Sequence, residues 1–176
     1  MDVFLHFLFP YALLTLIGLK AEKAIPIALL GVLPDLDVLF YVHRSPSHSA
    51  VVIFAAYMVP FILVWFYRRQ HVRYVILGFL ATVSHPVFDM LGGYTPILWP
   101  LYDKSIMVSM QMTLSINPDI RLQTSYAVRQ IPTVFPRLDS FQALVFNGPG
   151  GLMSILIAIY VLYRIRCYLL DRYNTS

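Results

Sequence analysis

The chain has 176 residues, 59% of them hydrophobic and 12% charged, with a mean hydropathy of +0.69 and a formal charge of +4. Ordinary soluble domains carry about 25% charged residues, so this composition argues against a water-soluble globule and for a single-domain polytopic membrane protein. No basic run is interleaved with aromatics, which speaks against a nucleic-acid partner, and a lone cysteine, Cys167, excludes an internal disulfide or a cysteine-built metal cluster.

Five hydrophobic segments lie at about residues 3–19, 24–42, 50–67, 74–91 and 145–163, each near the roughly 20 residues that cross a bilayer. The first, VFLHFLFPYALLTLIGL, lacks a basic leader and a small-residue cleavage site, and it reads as a retained helix. The expected fold is an all-α bundle of about five membrane-embedded helices, one integral membrane domain over 1–176 with an outer insertion at 92–144. Within that insertion IMVSMQMTLSI (106–116) and IRLQTSYAV (from Ile120) alternate apolar and less apolar positions. Period-two alternation around turn-forming residues predicts a β-hairpin over 102–130, turning at Asn117-Pro118-Asp119. The later QIPTVFPRLDSFQ reads as a Pro-punctuated linker.

Charge placement orients this scheme. Lys20 and Lys23 fall between the first two segments, Arg68, Arg69 and Arg73 between the third and fourth, and Arg164, Arg166 and Arg172 after the fifth. If every segment crosses, these sets share one side, and the positive-inside rule makes it cytoplasmic. The N-terminus is then outside, the C-terminus cytoplasmic, and the lipid bilayer of the inner membrane is the medium.

On that topology most of the titratable groups within the apolar segments and the 43–49 connection gather at the outer face. His6 lies at the outer end of the first segment, Asp35 and Asp37 in the outer half of the second, and His43 and His48 in the connection that follows. His85 and Asp89 sit in the outer half of the fourth, four residues apart and so on one helix face. Pro34 in the PDLD string disfavours α geometry before it and removes a backbone donor, so an unwound start would let Asp35 and Asp37 both face inward. Carboxylate oxygens with imidazole nitrogens form a ligand set for zinc first, with manganese or iron as alternatives. More than four ligands leave room for one or two ions. Ionisable groups inside a membrane are costly and mark function by default.

The motif set resembles the predicted membrane-bound metal-dependent hydrolases, a family that includes LexA-regulated inner-membrane proteins. Its marks here are His6, then Gly31, Pro34, Asp35 and Asp37, then His43, Arg44, His48 and Ser49, then His85 and Asp89, and finally Gly92, Gly93, Trp99 and Pro100. The resemblance covers about residues 1–101 and implies metal-site chemistry more firmly than any substrate. The resulting expectation is a metal-dependent hydrolase whose site faces the outer membrane interface. Asp35, Asp37, His48, His85 and Asp89 are its expected ligands, with His6 and His43 as further members. Arg44 would clamp a phosphate, and Asp37 or Ser49 would assist as base or hydrogen-bonder. The economical substrate is amphiphilic, a lipid or lipid-linked phosphoester or other ester. Two alternatives compete. One is a metal-independent lipid phosphatase with a histidine nucleophile, echoed by Pro46-Ser47-His48 and His85-x-x-x-Asp89 but lacking the basic lead motif. The other is a metal or proton transporter, or a metal-binding structural membrane protein, against which the absence of internal repeats speaks.

Overall fold

A computed structural model of the chain describes residues 3–115, 121–139, 154–164 and 166. Helix α1 (Val3–Leu16) is followed by α2 (Ala21–Leu29), a 3-10 helix (Leu30–Phe40), α3 (Ala50–Tyr67), α4 (Val72–Gly92), strands β1 (Lys104–Ser115) and β2 (Arg121–Pro132), and α5 (Ser154–Arg164). α1 stops because Gly18 takes a left-handed turn, φ +85°, that L-residues adopt only at a cost.

The expected polytopic bundle of about five membrane-embedded helices is overturned by the lengths of the helices. Among the described residues only α3 and the stretch 69–92, comprising a single 3-10 turn and α4, are long and apolar enough to cross a membrane. α1 has 14 residues, hence about 21 Å of rise against a hydrocarbon core of about 30 Å. The 24–42 segment is not one helix but a nine-residue α2 and an 11-residue 3-10 run, with Pro26 and Pro34 removing donors. Of the expected 145–163 helix, residues 145–153 lie outside the described ones, and α5 begins at Ser154. The described helices are joined by a two-stranded sheet in the expected insertion.

That sheet is an antiparallel pair in continuous register from Lys104 opposite Pro132 to Ser115 opposite Arg121. The hairpin anticipated from the alternation is therefore present, with strands longer than the alternating runs; its turn at 117–119 lies outside the described residues.

The apolar core gathers Tyr11 and Leu14 of α1, Ala24, Ile27 and Ala28 of α2, and Ala81 of α4. Small side chains at these contacts let the backbones approach closely. Thr82 accepts or donates at three elements at once: its hydroxyl meets Tyr57 Oη at 2.8 Å and reaches the Leu30 and Gly78 carbonyls at 3.2 and 2.9 Å. These bonds fix α4 against α3 and the start of the 3-10 helix, just below the polar cluster.

Candidate metal centre

The 3-10 geometry is what brings the PDLD carboxylates together. Residues two apart are separated by about 160° around an α-helix but only about 120° around a 3-10 helix. Gly31, Pro34 and Asp37 recur on the buried face, while Leu33, Leu36 and Leu39 recur on the exposed one. Asp35 lies between the two stripes, half-buried.

His6, His48 and His85 are fully or almost fully buried, as is Asp89. His85 Nδ1 lies 2.8 Å from the Gly31 carbonyl. A carbonyl only accepts, so Nδ1 carries the proton and Nε2 presents a lone pair. His48 Nδ1 lies 3.2 Å from Asp37 Oδ2, again an acceptor, which leaves its Nε2 bare as well. Yet the two Nε2 atoms face each other at 3.2 Å. Asp35 Oδ1 joins them at 3.3 Å from His85 Nε2 and 3.6 Å from His48 Nε2. Asp89 Oδ2 adds contacts of 3.5 Å to His48 Nε2 and 3.9 Å to His85 Nε2.

Four acceptor atoms thus crowd a single point, an arrangement that repels itself unless a cation or a proton sits among them. Ligands about 2.0–2.2 Å from a tetrahedral ion lie about 3.3–3.6 Å from one another, close to the spacings seen. The donor set therefore fits a divalent ion such as zinc. Protons are the substitute: burial works against charge on His48, but Asp35 and Asp37 push its pKa up to about 9. Burial likewise opposes the charge on Asp35, and its contacts with His48 and His85 overcome that and hold the carboxyl well below the usual range.

Two triplets of potential ligand atoms, His6 with His85 and Asp89, and Asp35 with His43 and His48, are joined by the His48–His85 and Asp35–His85 contacts. His6 stacks on His85 with ring centroids 3.6 Å apart and puts Nε2 3.3 Å from Asp89 Oδ1. That contact is close but not aligned as a hydrogen bond, and among the described residues neither ring nitrogen of His6 has a hydrogen-bond partner. Orphaned buried imidazole nitrogens are costly unless something else binds them. His43 stands at the rim, its side chain 37% exposed, with Nδ1 4.0 Å from Asp35 Oδ1.

Three of the expected site residues also make structural contacts. Asp37 stands behind His48, on the Nδ1 side, and accepts from Ser45 N at 2.9 Å and Ser47 Oγ at 3.3 Å. It occupies the place of the carboxylate that orients a metal-bound histidine. Ser49 is the N-cap of α3: its oxygen accepts from Val51 N and Val52 N, and its hydroxyl donates to the Trp99 carbonyl. That hydroxyl is spent on structure, and a serine directly before an apolar run was the available signal. Arg44 adopts a left-handed φ of +57° and turns its guanidinium inward, Nε 3.4 Å from Asp89 Oδ2 and Nη1 3.2 Å from the Tyr94 carbonyl. Gly93 makes the room, since a Cβ there would clash with Arg44 Nη1.

No curated protein and no solved structure gives a significant match to the chain. A family model does, over residues 1–172 and so through every residue of the cluster. On that match the chain belongs to the family of the YdjM inner membrane protein.

Proposed function

We propose that this protein is a membrane-bound metal-dependent hydrolase acting on a phosphoester or other ester of a lipid or lipid-linked substrate at the outer membrane interface. The observation that supports this reading is the meeting of four metal-ligating side chains, Asp35, His48, His85 and Asp89, around the facing Nε2 atoms of the two histidines. These four would hold the ion, with His6 and His43 flanking it on either side. Bound there, a divalent ion supplies the means to polarise an ester oxygen and to bring the pKa of water towards ~7. Asp37 fixes the ring orientation of His48. Arg44 steadies Asp89, and its planar fork suits a phosphate oxygen pair arriving at the rim. His43, the most exposed of the cluster's imidazoles, is placed to hold a proton at the mouth. Its Nδ1 lies 3.7 Å from Asp37 Oδ1.

The outer location rests on charge. Lys23 Nζ and Arg73 Nη2 both reach the Tyr74 hydroxyl, at 3.2 and 2.7 Å, so the basic residues near 20–23 and 68–73 share one end of the molecule. The His/Asp cluster is at the other end of α4. By the positive-inside rule the basic end is cytoplasmic.

Elemental analysis of purified protein and of His85→Ala, paired with turnover of phospholipid and lipid-linked phosphoester substrates, tests the proposal. Stoichiometric divalent metal and hydrolysis, both lost in the variant, are the expected result. Wild-type protein without metal overturns it. Metal flux across vesicles without turnover would assign the same cluster to transport.

A further inference from the structure

The β-hairpin is the largest described element that the metal centre does not use. Cross-strand partners share a face of the sheet. One face carries Val108 opposite Val128, Met110 opposite Tyr126, Met112 opposite Thr124 and Leu114 opposite Leu122. The other carries Ser109 opposite Ala127, Gln111 opposite Ser125 and Thr113 opposite Gln123. The apolar face is uncovered, with Met110 70% and Tyr126 82% exposed. A two-stranded hairpin is marginal in water by itself, and a contiguous exposed apolar face marks a surface that meets something.

Two features identify what it meets. Its root is tied to the ends of the two helices long and apolar enough to cross a membrane: Thr95 and Ile106 exchange backbone hydrogen bonds of 2.9 Å, and Ala50 N donates to the Ile97 carbonyl at 2.9 Å. The hairpin therefore departs beside the start of α3 and the end of α4. Among the described residues α3 buries only Ile53, and the chain belongs to an inner-membrane family, both of which favour lipid as the medium beside that root. The second feature is charge. The strands KSIMVSMQMTLS and RLQTSYAVRQIP contain Lys104, Arg121 and Arg129 and no carboxylate, which complements an anionic leaflet.

We infer that the hairpin lies on the bilayer at the metal-centre end of the molecule, its Met110–Tyr126–Leu114 face immersed at the headgroup and acyl boundary and strengthened by anionic lipid. It is an interfacial contact added to the spanning helices, the sheet counterpart of an amphipathic surface helix. The inference holds whatever reaction the metal centre performs.

The test uses the full chain with Cys167→Ser, reconstituted in phosphatidylcholine vesicles with and without phosphatidylglycerol. A fluorophore is attached through Tyr126→Cys or Ser125→Cys, adjacent positions on opposite faces. The second pair, Met110→Cys and Gln111→Cys, asks the same question on β1 should either β2 variant misfold. Probes at 126 and 110 should be quenched several-fold more by nitroxide-bearing lipid than probes at 125 and 111, with iodide in the water showing the reverse order. Phosphatidylglycerol should widen the contrast. Equal iodide quenching of both faces in both vesicle types overturns the inference. So does efficient disulfide linkage of two copies through Tyr126→Cys without lipid quenching, which would give the face to a second chain.

Discussion

The tautomer of His85 is set by the hydrogen bond from Nδ1 to the Gly31 carbonyl, and that bond depends on a missing side chain. A Cβ on Gly31 would lie 2.5 Å from the His6 carbonyl oxygen and 3.2 Å from that of Ala81, both backbone atoms that cannot swing away. Gly31→Ala must push α1 or α4 aside. Overpacking of this kind costs about 1–3 kcal/mol, and the displaced carbonyl releases the His85 ring. The expected outcome is a lowered unfolding temperature together with reduced metal content, read by thermal denaturation and elemental analysis. A variant with full metal content would show that the Gly31 contact does not position His85. A second residue-scale prediction separates a ligand from its orienting group. Asp35→Asn replaces a charged ligand oxygen of the cluster with a neutral amide, a far weaker metal donor, and should abolish stoichiometric metal. Asp37→Asn leaves the cluster intact but deprives His48 Nδ1 of its carboxylate, and should weaken metal affinity by about 10–100-fold, the usual effect of losing an outer-shell partner. Titration of chelator-stripped protein with zinc measures both. Equal losses would place Asp37 among the ligands.

The 3-10 helix decides how much of the site could be read from the sequence. Which residue types take part was legible, because histidines and carboxylates stand out in a chain this apolar and fall near one end of its hydrophobic segments. α3 was legible to the residue: expected at 50–67, it runs Ala50–Tyr67, bounded by the capping Ser49 and by Arg68. The 24–42 segment was not, because any apolar run of that length satisfies a membrane-helix count. Its signal was the leucine period, Leu30, Leu33, Leu36 and Leu39, three apart instead of the three-and-four of an α-helix. Partnerships across elements left no trace in local sequence. The Arg44–Asp89 pair joins residues 45 apart, and Asp37 serves His48 from another element. Pro34 offers a test at this scale. Pro34→Ala restores a donor and relieves the restriction on Leu33, freeing the segment to wind as an α-helix. Asp35 and Asp37 would then diverge, so metal affinity should fall on the order of tenfold, as for a displaced supporting group, while unfolding temperature stays level or rises. Unchanged affinity would assign the 3-10 geometry to Gly31 and the leucine stripe instead of to proline.

At the scale of the whole molecule, charge divides the fold into two ends. Arg69 lies over the Trp65 ring at 4.3 Å, and Lys23 and Arg73 converge on Tyr74, an arrangement of cations beside aromatics that belongs at a membrane–water boundary. The opposite end holds His6, Asp35, His48, His85 and Asp89, with the hairpin rooted beside them. α3 and α4 connect the two ends and are joined by the short 68–71 link at the basic one, so a single fact about that link orients the site. Positive residues are retained on the cytoplasmic side during insertion. In a Cys167→Ser background, Gln70→Cys should therefore resist a membrane-impermeant thiol reagent in intact cells and react once the membrane is permeabilised. Ser109→Cys, on the polar face of the hairpin, should react from outside without permeabilisation. The reverse pattern would turn the metal centre towards the cytoplasm and overturn the outer-interface part of the proposed function, while leaving the ligand geometry as it stands. Labelling of both positions from outside would mean that α3 and α4 do not cross, and that the chain rests on the membrane by its apolar helix faces and its hairpin.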